Sequence, residues 1–305
     1  MELAINVEGQ NGLNWDNWKR IVLAAEELGF AGIFRSDHFS SFDGPPDLDA
    51  LECWVSLTWL AGNTRRVQFG PLVTPVTFRH PAITARMAAN LDDLSGGRLV
   101  LGLGTGWAER EHAIWGLELG DMKTRFQRFE EGLELIYRLF HETSPVTLNG
   151  QFYSVHDAQL LPRPKRAGGP IILVGGQGGK KTLSLAVRYA DEWNTFLMPA
   201  ADAVQLSKRL DEALAEAGRD PSSIWRSIML NVVVGKTDAD VKRKMGGMTE
   251  AECRAIGVIG TANAVADQLA EYAAAGLYRV VAQMNDLNDM DFLEILGTQV
   301  IPQIK

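Results

Sequence analysis

The chain has 305 residues, 46% of them hydrophobic and 22% charged, with 30 glycines and a net charge of −8. That is the make-up of a globular protein with ample chain for a large core, and disorder is excluded as its main state. There is no basic stripe for nucleic acid, no charge-free run of eighteen residues for a membrane span and no basic leader, and Cys53 and Cys253 stand far apart without metal or disulfide spacing. A small-molecule partner and a reducing, cytoplasmic setting are the expectations.

Short β-branched runs alternate with longer amphipathic ones. Leu3–Glu8 reads as a strand, followed by a helix over Asn14–Leu28 that Gly29 stops. Ala31–Ser36 is a second strand; a polar loop with Gly44-Pro45-Pro46 leads to a helix from Asp49 to Ala61. Val67–Thr74 is a third strand, and Pro81 opens a helix that runs to Leu94. Leu99–Leu103 is a fourth strand, and Arg125–Phe140 a long helix. A hairpin turning at Asn149-Gly150 and a Pro-rich link then interrupt the rhythm, over about residues 145–165. It resumes with strands at Ile171–Val174, Trp193–Leu197, Ile228–Val234 and Tyr278–Gln283. Helices follow at Lys180–Tyr189, Asp202–Ala217, Asn263–Ala275 (capped by Thr261) and Met290–Val300.

Eight strand–helix units point to one closed (β/α)8 barrel, a TIM barrel, over residues 1–305 with insertions after strand four. An open doubly wound sheet is the structural alternative, but Glu8-Gly9-Gln10-Asn11-Gly12 after the first strand is not a dinucleotide fingerprint. Barrel chemistry gathers at strand C-termini. There stand Glu8, Ser36-Asp37-His38-Phe39, Pro71-Leu72-Val73-Thr74-Pro75, Gly104-Thr105-Gly106-Trp107 and Gly175-Gly176-Gln177-Gly178-Gly179. In the last of these, Lys180 and Lys181 oppose the positive end of a helix dipole. A bound phosphate would reverse that penalty, and glycines admit its oxygens to backbone N–H groups. The alternative is a tight turn with solvated lysines. Asp37 and His38 place a carboxylate beside an imidazole, although neighbours on a strand face opposite sides. No H-x-H or H-E-x-x-H spacing occurs, so no metal is expected.

Together these residues resemble the luciferase-like monooxygenase superfamily, in its coenzyme F420-dependent oxidoreductase branch. The resemblance rests on Ser36-Asp-His-Phe39, Phe69-Gly-Pro-Leu-Val-Thr-Pro75, Ser95-Gly-Gly-Arg-Leu99, Leu101-Gly-Leu-Gly-Thr-Gly-Trp107 and the Gly175–Gly179 turn. It implies a homodimer of barrels that binds F420, or alternatively FMN. Asp37 and His38 would lie against the ring as catalytic and cofactor-binding residues. Pro71, Leu72 and Thr74 would belong to a bulge behind it, with a non-prolyl cis bond matched to Pro71–Leu72. Gly104, Thr105 and Gly106 would flank the ring and ribityl chain, and Gly176, Gln177, Gly178 and Gly179 would hold the phosphate. The implied activity is hydride transfer to or from an organic substrate. An FMN-dependent monooxygenase and a non-catalytic flavin-binding barrel are the alternatives. Trp107 stands where the sugar-phosphate dehydrogenases of this branch carry a proton-donating Glu, so glucose 6-phosphate is not carried over. Trp107 and Glu8 are assigned to the substrate pocket; Glu109 and Glu111 lie close by in sequence and match no motif.

Overall fold

A computed structural model describes residues 1–304 apart from 43, 44 and 46, so Gly44 and Pro46 of the polar loop lie outside the described residues. The first half of the chain runs β1 (Glu2–Val7), α1 (Trp15–Glu27), β2 (Gly32–Arg35), α2 (Cys53–Asn63), β3 (Gln68–Pro71), β4 (Thr74–Pro75), α3 (Pro81–Ser95), β5 (Val100–Gly104), α4 (Glu109–Ile114) and α5 (Met122–His141). The hairpin β6 (Val146–Asn149) and β7 (Ser154–Ala158) follows. The second half runs β8 (Ile171–Gly175), α6 (Lys180–Tyr189), β9 (Glu192–Phe196), α7 (Ala200–Glu216), β10 (Trp225–Val234), α8 (Asp238–Lys244), α9 (Glu250–Ile256), β11 (Gly257–Gly260), α10 (Ala262–Ala274), β12 (Arg279–Met284) and α11 (Met290–Ile295).

The parallel sheet orders β3-β2-β1-β12-β10-β9-β8-β5-β4, and a bridge between Phe69 and Leu99 brings β3 back to the start of β5. This is the (β/α)8 barrel, with the hairpin inserted between β5 and β8. Each predicted barrel strand is present. The third is split: the ladder to β2 continues through the Leu72 N–H, which donates to Arg35 O at 2.8 Å, and pairing resumes on β5 at Thr74. The cis bond therefore lies between Leu72 and Val73, one residue later than the match to Pro71–Leu72.

Local chemistry sets the ends of the helices. Asn14 Oδ1 caps α1 by accepting the Asn17 N–H at 3.0 Å, and Gly29 takes the left-handed φ of +87° that the stop requires. Pro81 opens α3. Thr261 stands at the N-cap of α10, but its side chain makes no capping bond, contrary to the sequence reading. The predicted single helix over Met290–Val300 is α-helical only to Ile295 and continues as a π-turn over Leu296–Val300.

Two apolar layers result. Ala4, Phe34, Val100, Leu173 and Val281 fill the barrel interior, while a larger cluster packs the outer strand faces against the helices. At the N-terminal end Arg279 is fully buried between Glu192 and Glu2. Burial raises the Glu192 carboxyl above its ordinary range, against the pull of Arg279. No helix among the described residues is long and apolar enough to cross a membrane.

Candidate active site

Beyond β2 the backbone turns, and the adjacent Asp37 and His38 part company. Asp37 is fully buried. Its Oδ2 accepts from Arg79 Nη1 at 2.6 Å and from Thr74 Oγ1 at 2.8 Å, and its Oδ1 from Arg79 Nη2 at 3.2 Å. Arg79 extends the network to Glu52 at 2.6 Å, and Trp54 Nε1 donates to Thr74 Oγ1 at 3.2 Å. The neighbouring carboxylates, Asp37 above all, outweigh burial and hold Arg79 above its ordinary pKa. This closed network ties the β2 end to the β4 bulge and does not touch His38.

His38 is held instead by Glu111, which sequence reasoning left without a role. Nδ1 lies 2.8 Å from Glu111 Oε2. Glu111 is buried, and its Oε1 also accepts the Ser40 N–H at 3.2 Å and the Phe39 N–H. A carboxylate only accepts, so the shared proton belongs to Nδ1 and the neutral imidazole keeps its lone pair on Nε2. Nε2 makes no hydrogen bond among the described residues. Glu111 sits on α4, which is pinned from the other side by His112 Nε2 to Thr77 Oγ1 at 2.8 Å. The Glu-His pair on a short helix after the fourth strand was the one available signal.

An aromatic rim surrounds His38. Phe42 meets it edge-on at 4.4 Å and Trp107 at 5.8 Å, while Phe39 stacks on Phe78 at 4.5 Å. Trp107 is 58% exposed, so it is a wall of the mouth and not a core residue. Glu8, in contrast, is buried among amide donors.

The two glycine segments come together because β5 and β8 are neighbours, Leu103 pairing with Val174. Their glycines serve the protein's own packing first. A Cβ on Gly104 would lie 2.6 Å from Val73 Cγ2, and one on Gly106 2.7 Å from Thr77 Oγ1. Pro71 ends β3, Leu72 leans on the interior cluster, and Thr105 Oγ1 donates to Gly106 O at 3.3 Å. In the Gly175–Gly179 turn, the Gly176 N–H is taken by Asn194 O at 2.9 Å, and Gly178 O accepts from Arg209 Nη2 at 2.8 Å. The N–H groups from Gln177 to Thr182 have no acceptor among the described residues, and a Cβ on Gly179 would meet nothing within 4 Å. Such a set of unclaimed donors suits an anion. The lysines face elsewhere: Lys180 and Lys181 line a cleft against α5, with Lys181 Nζ 5.5 Å from the Phe126 ring.

A parallel barrel with a carboxylate-held histidine and an anion-ready turn at its C-terminal mouth defines a barrel of the cofactor-binding kind. The profile of the luciferase-like monooxygenase family matches residues 2–254, and the chain belongs to that family. An F420-dependent glucose-6-phosphate dehydrogenase of Kineococcus radiotolerans is 34% identical over 217 residues, which cover 68% of this chain and 61% of the relative. A pyrimidine monooxygenase, RutA, of Methylorubrum extorquens is 31% identical over 239 residues, covering 76% and 62%. This chain thus spans about three fifths of the length of the curated relatives it matches. The coenzyme F420-dependent tetrahydromethanopterin reductase of Methanopyrus kandleri shares the fold with a TM-score of 0.82 at 20% identity, both chains being covered in full.

Proposed function

We propose that this chain is a coenzyme F420-dependent oxidoreductase, moving a hydride between the deazaflavin and an organic substrate at the C-terminal mouth of the barrel. The observation that carries the reading is the His38–Glu111 pair, a histidine with fixed tautomer and a free Nε2, at the mouth of a family barrel. The relative named for F420 dependence supports the choice of cofactor. The turn fits a phosphorylated tail: the N–H groups of Gln177 to Thr182 are unclaimed, with open space over Gly179. When bound, the cofactor supplies the hydride-exchanging centre; the protein supplies orientation and electrostatics. His38 Nε2 takes the proton that a substrate O–H or N–H releases, or returns it in the reverse direction, and Glu111 stabilises the resulting imidazolium. Trp107 and Phe42 keep water from that proton. The homodimer implied by the resemblance has apolar side chains available, Val55 on α2 with Ile83 and Leu94 on α3.

The test is titration of the purified chain with F420 and with FMN, read by absorbance and fluorescence quenching. F420 is expected to bind. Gly179→Ala is expected to weaken it at least tenfold with an unchanged melting temperature, and His38→Ala to spare binding and the fold while sharply reducing turnover. Binding of FMN alone would move the chain to the monooxygenase reading, which the pyrimidine monooxygenase relative favours by covering more of the chain. Binding of neither would leave a barrel without this chemistry. Light scattering reads the oligomer.

A further inference from the structure

Three carboxamides stand in one register row across three adjacent strands. Asn6 of β1 pairs with Gln283 of β12, which pairs with Asn231 of β10. Two residues earlier on these strands lie Ala4 and Val281, which belong to the interior cluster, and Met229, which packs on it. Positions in register on parallel strands face the same way, so the row points into the barrel, one step nearer the mouth than its apolar filling.

Glu8 polarises two members of this row, Asn6 and Gln283. It follows Asn6 by two residues on the same face. Its Oε1 accepts from Asn6 Nδ2 at 2.7 Å and Gln283 Nε2 at 2.9 Å, and its Oε2 from Gln10 Nε2 at 2.8 Å. Because the carboxylate can only accept, Asn6, Gln283 and Gln10 turn their NH2 groups to it, and their carbonyl oxygens are left over. That of Gln10 is taken by Ser36 Oγ at 2.6 Å. Asn6 Oδ1 is buried and has no partner among the described residues.

Gln283 and Asn231 continue into a cavity of about 640 Å³, also lined by Asn285, whose Nδ2 donates to Asn231 Oδ1 at 3.1 Å, and by residues of α8 and α11. Its two cations are already matched. Lys244 Nζ lies 2.6 Å from Asp289 Oδ2, and Arg243 Nη2 lies 2.5 Å from Asp240 Oδ1. Asp286 also lines the cavity. A phosphate dianion entering here would meet the leftover Gln283 acceptor, the Asp286 and Asp289 carboxylates and cations that are already paired.

We propose that Asn6 and Gln283, polarised by Glu8, form with the neighbouring Asn231 the substrate-binding floor of the barrel, which selects an uncharged ligand bearing O–H or N–H donors and rejects phosphorylated ones. This deepens the oxidoreductase reading and rests on it only in placing the substrate at the mouth shared with His38. It also separates this chain from the sugar-phosphate specificity in the name of its F420-dependent relative.

Saturation-transfer NMR on the full chain tests it with three matched pairs: glucose and glucose 6-phosphate, uridine and uridine monophosphate, glycerol and glycerol 3-phosphate. At least one neutral member is expected to bind, and its phosphorylated partner at least tenfold more weakly. A phosphorylated member that binds as tightly as its neutral partner overturns the proposal, as does binding of no neutral member. Gln283→Met is expected to cost the neutral ligand at least tenfold in affinity; an unchanged affinity overturns the placement. Thermal melts check that this variant folds, and Asn231→Ala gives the same readout if it does not. F420 titrated into the same samples separates the two readings. Failure of F420 to bind beside a bound neutral ligand sinks the oxidoreductase reading and still supports the floor.

Discussion

Replacing Glu111 with glutamine keeps the shape of the side chain and removes its charge. The carboxylate now receives His38 Nδ1–H at 2.8 Å, Ser40 N–H at 3.2 Å and the Phe39 N–H. Glutamine has one oxygen to offer. The two backbone donors cannot reverse their roles, so that oxygen stays with them and the NH2 group meets His38. Nδ1 must then accept, and the imidazole proton moves to Nε2, the wrong side for receiving a proton from substrate. Hydrogen bonds to a charged partner are worth about 1.5–3 kcal/mol, against about 1 kcal/mol for neutral ones. Losing the charge and the tautomer together should raise the barrier by about 2–3 kcal/mol, roughly 30- to 150-fold in turnover. The direct assay is long-range nitrogen–proton NMR of the imidazole, which reports which nitrogen carries hydrogen; turnover with a substrate found by screening is the second. A His38 proton that stays on Nδ1 in Glu111→Gln, or turnover equal to wild type, refutes the reasoning. Glu111→Ala is the structural control. Orphaning a buried, hydrogen-bonded set of this kind costs about 3–5 kcal/mol. At about 2 °C per kcal/mol for a chain of this size, the melting temperature falls by roughly 6–10 °C.

Asp37→Asn should act on stability and not on the cofactor: uncoupling the buried Arg79 pair costs about 3–5 kcal/mol, while F420 affinity stays within threefold. A folded variant with F420 affinity lost would instead put Asp37 against the ring, as the family resemblance implies. Gly104→Ala forces a Cβ to 2.6 Å from Val73 Cγ2 and should destabilise by about 1–3 kcal/mol. Adding Val73→Ala should recover most of that loss, and additivity in the double-mutant cycle would contradict the contact. Glu26 predicts a pH dependence. Burial raises its pKa, but the N–H groups of Arg65, Val67 and Arg66 outweigh that and hold the carboxyl below its ordinary value. A group depressed on folding contributes stability above its unfolded pKa and loses it as pH falls through its folded one. The melting-temperature gap between wild type and Glu26→Gln should therefore be open at pH 7 and close below about pH 4.5. A gap that persists in acid excludes this account.

The barrel was legible because each strand is a short buried run and each helix an amphipathic one, so period alone separates them. The split after Pro71 was not, since Val67–Thr74 is continuous in composition and only the change of partner from β2 to β5 divides it. β11 was missed because Gly257-Val-Ile-Gly260 is too short to read, and a Cβ on Gly257 would lie 1.8 Å from Asn231 O. Motif position singled out His38 and the glycine turns as candidates. It could not find Glu111, whose partner is 73 residues away, nor show that the lysines after the turn face α5. The amide row is invisible in sequence for the same reason: Asn6, Gln283 and Asn231 become neighbours only when the strands take register.

The Asp37-His38 dipeptide carries the resemblance, yet the two side chains act on different links of the structure. Asp37 faces Thr74 and Arg79, so it positions the bulge that Val73 occupies. That bulge fits because two strand-end glycines leave it room: a Cβ on Gly104 or Gly175 would come within 2.6 or 3.1 Å of the Val73 side chain. The glycines at the mouth are thus required by a valine before any ligand arrives, and the place of that valine sets how much room a ring would have. His38, turned the other way, depends on a helix inserted after strand four. In the proposed reading the depth of the site is governed from β3 and β4, its proton chemistry from α4, and its choice of substrate from β1, β10 and β12. Substitutions in these three groups should then separate stability, turnover and selectivity from one another.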